Sequence, residues 1–313
     1  MERASASAPA SIGNVGPGFD ILGQAFDAAR DTVIATRETR PGVRLGRVSG
    51  LADSLPGTPD DNTALAAARA VLKAAGARWG VRLDIVKGVP IAAGMGGSAA
   101  SAVAGACAVN ALLGERFGLD DLLPLALEGE RVASDPPHWD NVMASLHGGL
   151  VLAARADPPL VQRLPVPDGI VAVLLHPAAE IRTAHARALL SREVPLPLVV
   201  EHGRRIAALV AGCATGDREL IRAGLDDILI EPQRRHLLPA LPAVKVAALT
   251  AGALGCSFSG SGPSVFAWAA AEDADAVESA MRQGLAGAGL TAKAYRASIA
   301  SAGMRVEGLA EAA

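Results

Sequence analysis

The chain commits itself most strongly between residues 80 and 114. Val81-Arg-Leu83-Asp-Ile85 alternates apolar and polar residues, the pattern of a half-buried strand. Pro90-Ile91-Ala92-Ala93-Gly94-Met95-Gly96-Gly97-Ser98-Ala-Ala-Ser101 follows, and Ala- and Val-rich sequence then runs to Gly114, placed as a C-terminal cap. Strand, tight glycine turn and helix N-terminus in that order constrain the backbone sharply. Glycines let N–H groups converge on a ligand with no side chains in the way, and the helix end adds partial positive charge, so the element suits phosphate. Ser98 and Ser101 put hydroxyls in the first turn, where they can cap the helix or reach a metal ion. The stretch is not a Walker A loop, because no Gly-Lys-Ser/Thr follows, and not a dinucleotide loop, because position 99 is Ala. Ala100 likewise breaks a G-x-S-x-G elbow. By itself the stretch also reads as a glycine turn leading into a buried alanine helix.

Two further glycine-dense turns flank this one. Pro9 to Asp20 contains Gly13, Asn14, Gly16, Pro17 and Gly18, a forced turn bracketed by an amide and a carboxylate. Ser259-Gly260-Ser261-Gly262-Pro263-Ser264 precedes a strand, Val265 to Trp268. Between them lies a polar concentration, Glu128 to Asn141, with Glu130 at a helix end stopped by Pro136 and Pro137. His138 and Asn141 stand on the loop or at the next helix start. A carboxylate, an imidazole and an amide this close suggest a site, though a capped helix-loop-helix would look the same.

The remaining pattern is α+β. Asp31 to Thr36 predicts a strand and Gly50 to Pro59 a loop. Thr63–Ala75 predicts a helix capped by Asn62 or a neighbouring Asp and ended by Gly76. Leu119 to Arg131 predicts a helix interrupted near Pro124, and prolines and charges between Leu152 and Asp168 predict a linker. The second half predicts a buried strand at Ile170–His176 and a short helix from Thr183 to Arg187. Helices follow over Val199–Cys213, Asp217–Ile230 and Val244–Leu254, the last closed by Gly255. A helix over Ala274–Leu285, a strand over Thr291–Ile299 and a frayed tail complete it, an order that suits a ferredoxin-like sandwich.

Composition excludes several classes. The formal charge of −3 with no basic run argues against a nucleic-acid partner. No apolar run reaches the ~18 residues needed to span a bilayer, and Met1 to Ser7 lacks the apolar core of an export signal, so a cytoplasmic location is expected. Cys107, Cys213 and Cys256 are far apart and predict buried small hydrophobes.

The three glycine motifs, in this order and over nearly the whole chain, resemble those of the GHMP kinases. Asn14 through Asp20, Glu130 with His138-Trp-Asp140-Asn141, Thr183-Ala-His-Ala-Arg187, and Glu231-Pro-Gln-Arg234 with Leu-Leu-Pro239 are most similar to the family's homoserine-phosphorylating branch. The resemblance implies an α+β, two-domain architecture. An N-terminal, ribosomal-protein-S5-like ATP-binding domain would cover residues 1–158, and a ferredoxin-like domain residues 159–313. It implies Mg2+- and ATP-dependent phosphorylation of L-homoserine, a step of threonine biosynthesis, in an often dimeric enzyme. The alternative readings are another small-molecule GHMP kinase, of mevalonate or shikimate type, or a non-catalytic ligand-binding relative.

By this pattern Ser98 and Glu130 would ligate Mg2+, and Asn62 with Pro90–Gly97, Ser98 and Ser101 would hold ATP. Asn14, Asp20, His138, Asn141, Arg187, Arg234 and Gly260 to Gly262 would hold substrate. Ser98, Glu130, Asp20 and Asn141 would stand at the chemistry. Physical chemistry adds that an amino-acid carboxylate favours arginines such as Arg187 and Arg234, and an ammonium favours Asp20. One departure stands out: the family's loop usually carries Gly-Leu-Gly-Ser-Ser-Ala-Ala, and here Gly97 replaces the first serine.

Overall fold

The structure is a computed structural model that describes residues 2–310. Its first half comprises β1 (Arg3–Gly13), β2 (Leu22–Glu38), β3 (Gly42–Gly50), α1 (Thr63–Ala75), β4 (Gly80–Lys87), α2 (Gly97–Leu112), α3 (Leu119–Glu130), α4 (Trp139–His147), β5 (Leu150–Arg155) and β6 (Leu160–Leu164). The second half comprises β7 (Ile170–Pro177), α5 (Thr183–Ala188), α6 (Leu196–Thr215), α7 (Arg218–Gly224), α8 (Glu231–Arg234), α9 (Leu241–Thr250), β8 (Gly255–Phe258), β9 (Val265–Ala270), α10 (Ala274–Ala286), β10 (Ala292–Ser298) and β11 (Arg305–Ala310).

Two sheets carry these elements. The first runs β11-β1-β2-β4-β3, with β5 and β6 continuing from the far end of β2. Its pairs are antiparallel except β3 with β4. The second runs β10-β7-β9-β8, antiparallel throughout, which is the strand order expected of a ferredoxin-like sandwich. The α+β expectation therefore holds.

α2 is the axis of the first half. It is buried from Ala99 to Leu112, because its small residues let neighbours approach on every side. A Cβ on Gly105 would stand 2.6 Å from the Ala64 carbonyl oxygen, so α1 and α2 touch backbone to backbone there. A second core joins the two sheets: Ile12, Leu22 and Phe26 pack with Leu174, Phe266 and Trp268. Within it the Trp268 indole N–H donates to Gln24 Oε1 at 2.7 Å. The three cysteines are buried and unpaired, and burial pushes each thiol up to about 12. No helix among the described residues is long and apolar enough to cross a membrane.

Several boundaries differ from the sequence expectations. The region expected as a linker is the β5–β6 hairpin, whose prolines stand in the turn and after the last strand. The expected division between residues 158 and 159 falls in that turn, and β6 and β11, both beyond it, belong to the first sheet. Pro124 lies inside α3 without breaking it, since Leu122, Leu123, Ala126 and Leu127 are buried along one face. α7 ends at Gly224 rather than Ile230. The Asp227 carboxylate accepts from the N–H groups of Leu229, Ile230 and Glu231, a local alternative to helix. α9 ends at Thr250, and Gly255 opens β8 instead of closing the helix. β3 was not anticipated. The tail expected to fray instead forms β11 as far as Ala310.

Candidate active site

The three glycine turns meet at one place. Ser11 N–H donates to the Met95 carbonyl at 3.0 Å, and Gly260 N–H donates to the Gly13 carbonyl at 3.0 Å. The Ser259 hydroxyl donates to the Gly94 carbonyl at 2.6 Å. Gly94 has φ +72°, and a Cβ there would lie 2.6 Å from the carbonyl oxygens of both Ser259 and Gly262. The 90–97 turn is therefore wedged between the two halves of the chain. Around this junction lies a cavity of about 290 Å³.

The turn and its helix form one wall. Ile91 to Gly97 and Ser98 line the cavity, with α2 starting at Gly97 and its first N–H groups free of side-chain caps. Pro90 is not on the wall. Asn62 also lines the cavity, but its side-chain carbonyl oxygen caps α1 through Ala64 and Leu65 N–H, and its amide donates to the Pro56 carbonyl at 2.9 Å. It shapes the loop before α1 and has little hydrogen-bonding capacity left for a nucleotide. Ser101 also reaches the wall, yet its hydroxyl donates to Asp31 Oδ2 at 2.6 Å and accepts from Lys87 Nζ at 2.9 Å. Ser101, expected to help hold ATP, thus lines the cavity with its hydroxyl already engaged by Asp31 and Lys87.

Lys87 is a cavity residue that sequence reasoning missed. Its ammonium is buried, pairs with Asp31, and donates to the Gly97 carbonyl at 3.1 Å. Asp31 in turn accepts from Gly88 and Val89 N–H. This ion pair buttresses the turn from beneath. The signal was present: Lys87 continues the inward phase of Val81, Leu83 and Ile85, a charge where an apolar residue is due.

Glu130, His138 and Ser98 form a second group. Glu130 ends α3, fully buried behind the cavity wall. Its Oε1 accepts from the Ser98 hydroxyl at 2.9 Å and lies 3.0 Å from His138 Nδ1. Its Oε2 is buried with no hydrogen-bond partner. Burial opposes the His138 imidazolium, but the Glu130 hydrogen bond and the Glu130 and Asp140 charges outweigh it, so the His138 pKa is raised. Burial also pushes Asp140 up, from the ordinary 3.8 to about 6. That buried carboxylate accepts from Asn14 N–H at 2.7 Å and Asn141 N–H at 3.0 Å, tying the first turn to α4.

The remaining substrate candidates divide. Asn14 adopts φ +57°, accepts from Asp20 N–H at 2.9 Å and donates to the Gly260 carbonyl at 3.1 Å. It is a bracket between the two halves as well as a wall residue. Asn141 lines the cavity and accepts from the Ser11 hydroxyl at 2.9 Å. Gly260 and Ser261 line it too, whereas Gly262 is turned away, its Cβ position 2.8 Å from the Phe258 ring. Asp20 and Arg187, expected to take opposite ends of an amino acid, instead pair with each other at 2.7 and 2.8 Å, and Asp20 is off the wall. Arg234 is 4% exposed, lines the cavity, and its Nε has no partner. Both arginines stand 5.2 Å from the centre of the Phe19 ring, a second wall residue sequence reasoning missed.

Comparison with known proteins decides the family. The model of the GHMP kinases N terminal domain matches residues 62–149, and that of the GHMP kinases C terminal matches residues 206–287. The chain belongs to the GHMP kinases. As a member it is an ATP-dependent small-molecule kinase. It is 42% identical over 307 residues to a homoserine kinase of Xylella fastidiosa strain 9a5c, covering 97% of this chain and 94% of the relative. It is 41% identical over 313 residues to a homoserine kinase of Xanthomonas campestris pv. campestris strain B100, covering 98% and 94%. The crystal structure of homoserine kinase from Cytophaga hutchinsonii ATCC 33406 superposes with a TM-score of 0.93 at 38% identity, covering 98% of each chain.

Proposed function

We propose that this GHMP kinase phosphorylates the side-chain hydroxyl of L-homoserine, giving O-phospho-L-homoserine and ADP in threonine biosynthesis, in the cytoplasm. One observation carries the reading beyond the near full-length similarity. The cavity has a glycine turn and helix end on one wall, suited to phosphate, and a buried arginine lacking a full set of partners on another, suited to a carboxylate. Arg234 and Arg187 would hold the carboxylate. Asp20, released from Arg187, would take the ammonium.

The residues fit a magnesium ion. The orphaned Glu130 Oε2 is a buried acceptor awaiting a cation, and Ser98 adds a hydroxyl oxygen beside it. One carboxylate and one hydroxyl leave positions for phosphate and water, which Mg2+ favours. Glu130 and Ser98 would hold the ion, which supplies neutralisation of developing phosphate charge.

In the transfer, the substrate oxygen attacks the γ-phosphorus, and the bond from that phosphorus to the β,γ-bridging oxygen breaks. The hydroxyl proton passes to a γ-phosphate oxygen. The protein's part is positioning: α2 N–H groups meet the phosphates, Asn141 orients the hydroxyl, and Lys87 holds the turn in place. The test is ADP release from Mg-ATP with L-homoserine beside mevalonate, shikimate and L-serine. Turnover on homoserine alone is the expected result. Turnover on another alcohol instead would refute the substrate assignment.

A further inference from the structure

Arg234 sits on α8, a single turn too short to hold itself in place. Among the described residues its guanidinium has no hydrogen-bonded partner at Nε, so something else must fix where it points. The anchor is three residues earlier. Glu231 is buried, and its carboxylate accepts from Lys245 Nζ on α9 at 2.7 Å and from the Ser257 hydroxyl on β8 at 2.6 Å. β8 runs directly into the Ser259–Ser261 turn that lines the cavity. One carboxylate thus fastens the turn carrying Arg234 to the strand carrying the other half of the same wall.

We infer that Glu231, held by Lys245 and Ser257, is the positioning residue that aims Arg234 at the substrate carboxylate. The inference rests on the substrate reading given above. Glu231 is not among the residues lining the cavity, and its effect on substrate is expected through the position of Arg234. A buried ion pair adds little net stability, and Lys245 keeps Asp226 at 2.8 Å when the Glu231 charge is removed, so the loss falls on the tie between the turn carrying Arg234 and β8. Its loss should therefore appear in substrate affinity, through a rotated or retracted guanidinium.

A double-mutant cycle tests this, with Glu231→Gln, Arg234→Ala and the pair, measured on L-homoserine and on 3-amino-1-propanol, which lacks the carboxylate. Glu231→Gln should raise the homoserine KM about tenfold, the scale of one weakened charge-assisted hydrogen bond. The KM for ATP and the kcat/KM for 3-amino-1-propanol should change less than twofold. In the Arg234→Ala background, Glu231→Gln should have no further effect on the homoserine KM. Equal losses on both substrates, or additive losses in the double variant, overturn the inference. Should Glu231→Gln fail to fold, Ser257→Ala removes one of the two bonds and is read in the same way. An unchanged homoserine KM there overturns it too. If Arg234→Ala itself leaves homoserine affinity intact, the carboxylate clamp is wrong and the inference falls with it, an outcome the single variant separates from the others.

Discussion

Gly97→Ser restores the residue usual in the family loop, and the structure determines its outcome. Gly97 is the first residue of α2 and does not adopt a left-handed conformation. A Cβ there would lie 3.4 Å from the Pro90 carbonyl oxygen and Val89 Cγ1, and 3.8 Å from Lys87 Nζ, all ordinary contacts. Serine is favoured over glycine in a helix by roughly 0.3–0.5 kcal/mol, a difference that already contains the gain from restricting the unfolded chain. Stability should rise by about 0.5 kcal/mol, a Tm increase of about 1–2 °C by calorimetry. The new hydroxyl borders the cavity, so the ATP KM should hold or fall by up to about tenfold, the value of one hydrogen bond. The neighbours serve as controls. Gly96 has φ +64°, and its Cβ would stand 2.0 Å from Ser11 Oγ. Gly96→Ala should lose about 3 kcal/mol, from overpacking plus a left-handed residue. A Tm drop of more than about 3 °C for Gly97→Ser, or a tenfold rise in its ATP KM, would refute the reasoning and show that the turn needs glycine at 97 as well.

Three other outcomes follow from the same contacts. Glu130→Gln keeps an acceptor for Ser98 and His138 but removes the charge at the orphaned oxygen; the Mg2+ concentration for half-maximal rate should rise at least about tenfold, with Tm unchanged. Asn62→Ala removes the α1 cap and should cost about 1 kcal/mol, read as a lower denaturation midpoint with unchanged slope. Asp140, raised from 3.8 to about 6, binds its proton more tightly folded than unfolded, so its contribution to stability falls as pH rises between those values. The stability of Asp140→Asn relative to the parent should therefore increase by about 2 kcal/mol between pH 4 and pH 7 in denaturant titrations, and a flat difference would show that Asp140 is not held neutral by burial.

Local signals carried the fold further than the site. α1 begins after Asn62 and ends before Gly76 as its caps dictate, and α2 begins within the glycine turn, because caps and turns act over four residues or fewer. Where sequence reading failed, a nonlocal contact, or a side chain gathering nearby backbone N–H groups, had overridden the expected pattern. Pro124 is tolerated inside α3 by the buried face that the helix presents. α7 stops short because Asp227 gathers three N–H groups into a cap for the next turn. β11 forms because β1 offers an open edge, which no feature of the tail announces. The same limit governs the site. Residue types marked Glu130, His138, Arg187 and Arg234 as candidates. Partners could not be read, since Asp20 and Arg187 lie 167 residues apart and Lys87 and Asp31 lie 56 apart.

The Asp20–Arg187 pair is therefore the most informative departure from the sequence reading, and its energetics decide what it means. Both side chains are about one-third exposed, 38% and 30%, so the pair is screened and contributes about 0–1 kcal/mol. A zwitterionic substrate that offers a carboxylate to Arg187 and an ammonium to Asp20 exchanges one such pair for two, inside a cavity that it closes to water. Among the described residues, Arg234 Nε lacks even the weak kind of partner that Arg187 has. Its burial disfavours the charged form and lowers its pKa, so the guanidinium gains most from an arriving carboxylate. The gain is concentrated at the residue with the least to give up, and Arg187 joins as its own partner is drawn to the ammonium. On the proposed substrate reading, the ion pair would be the resting arrangement of the clamp and Arg234 its first point of engagement.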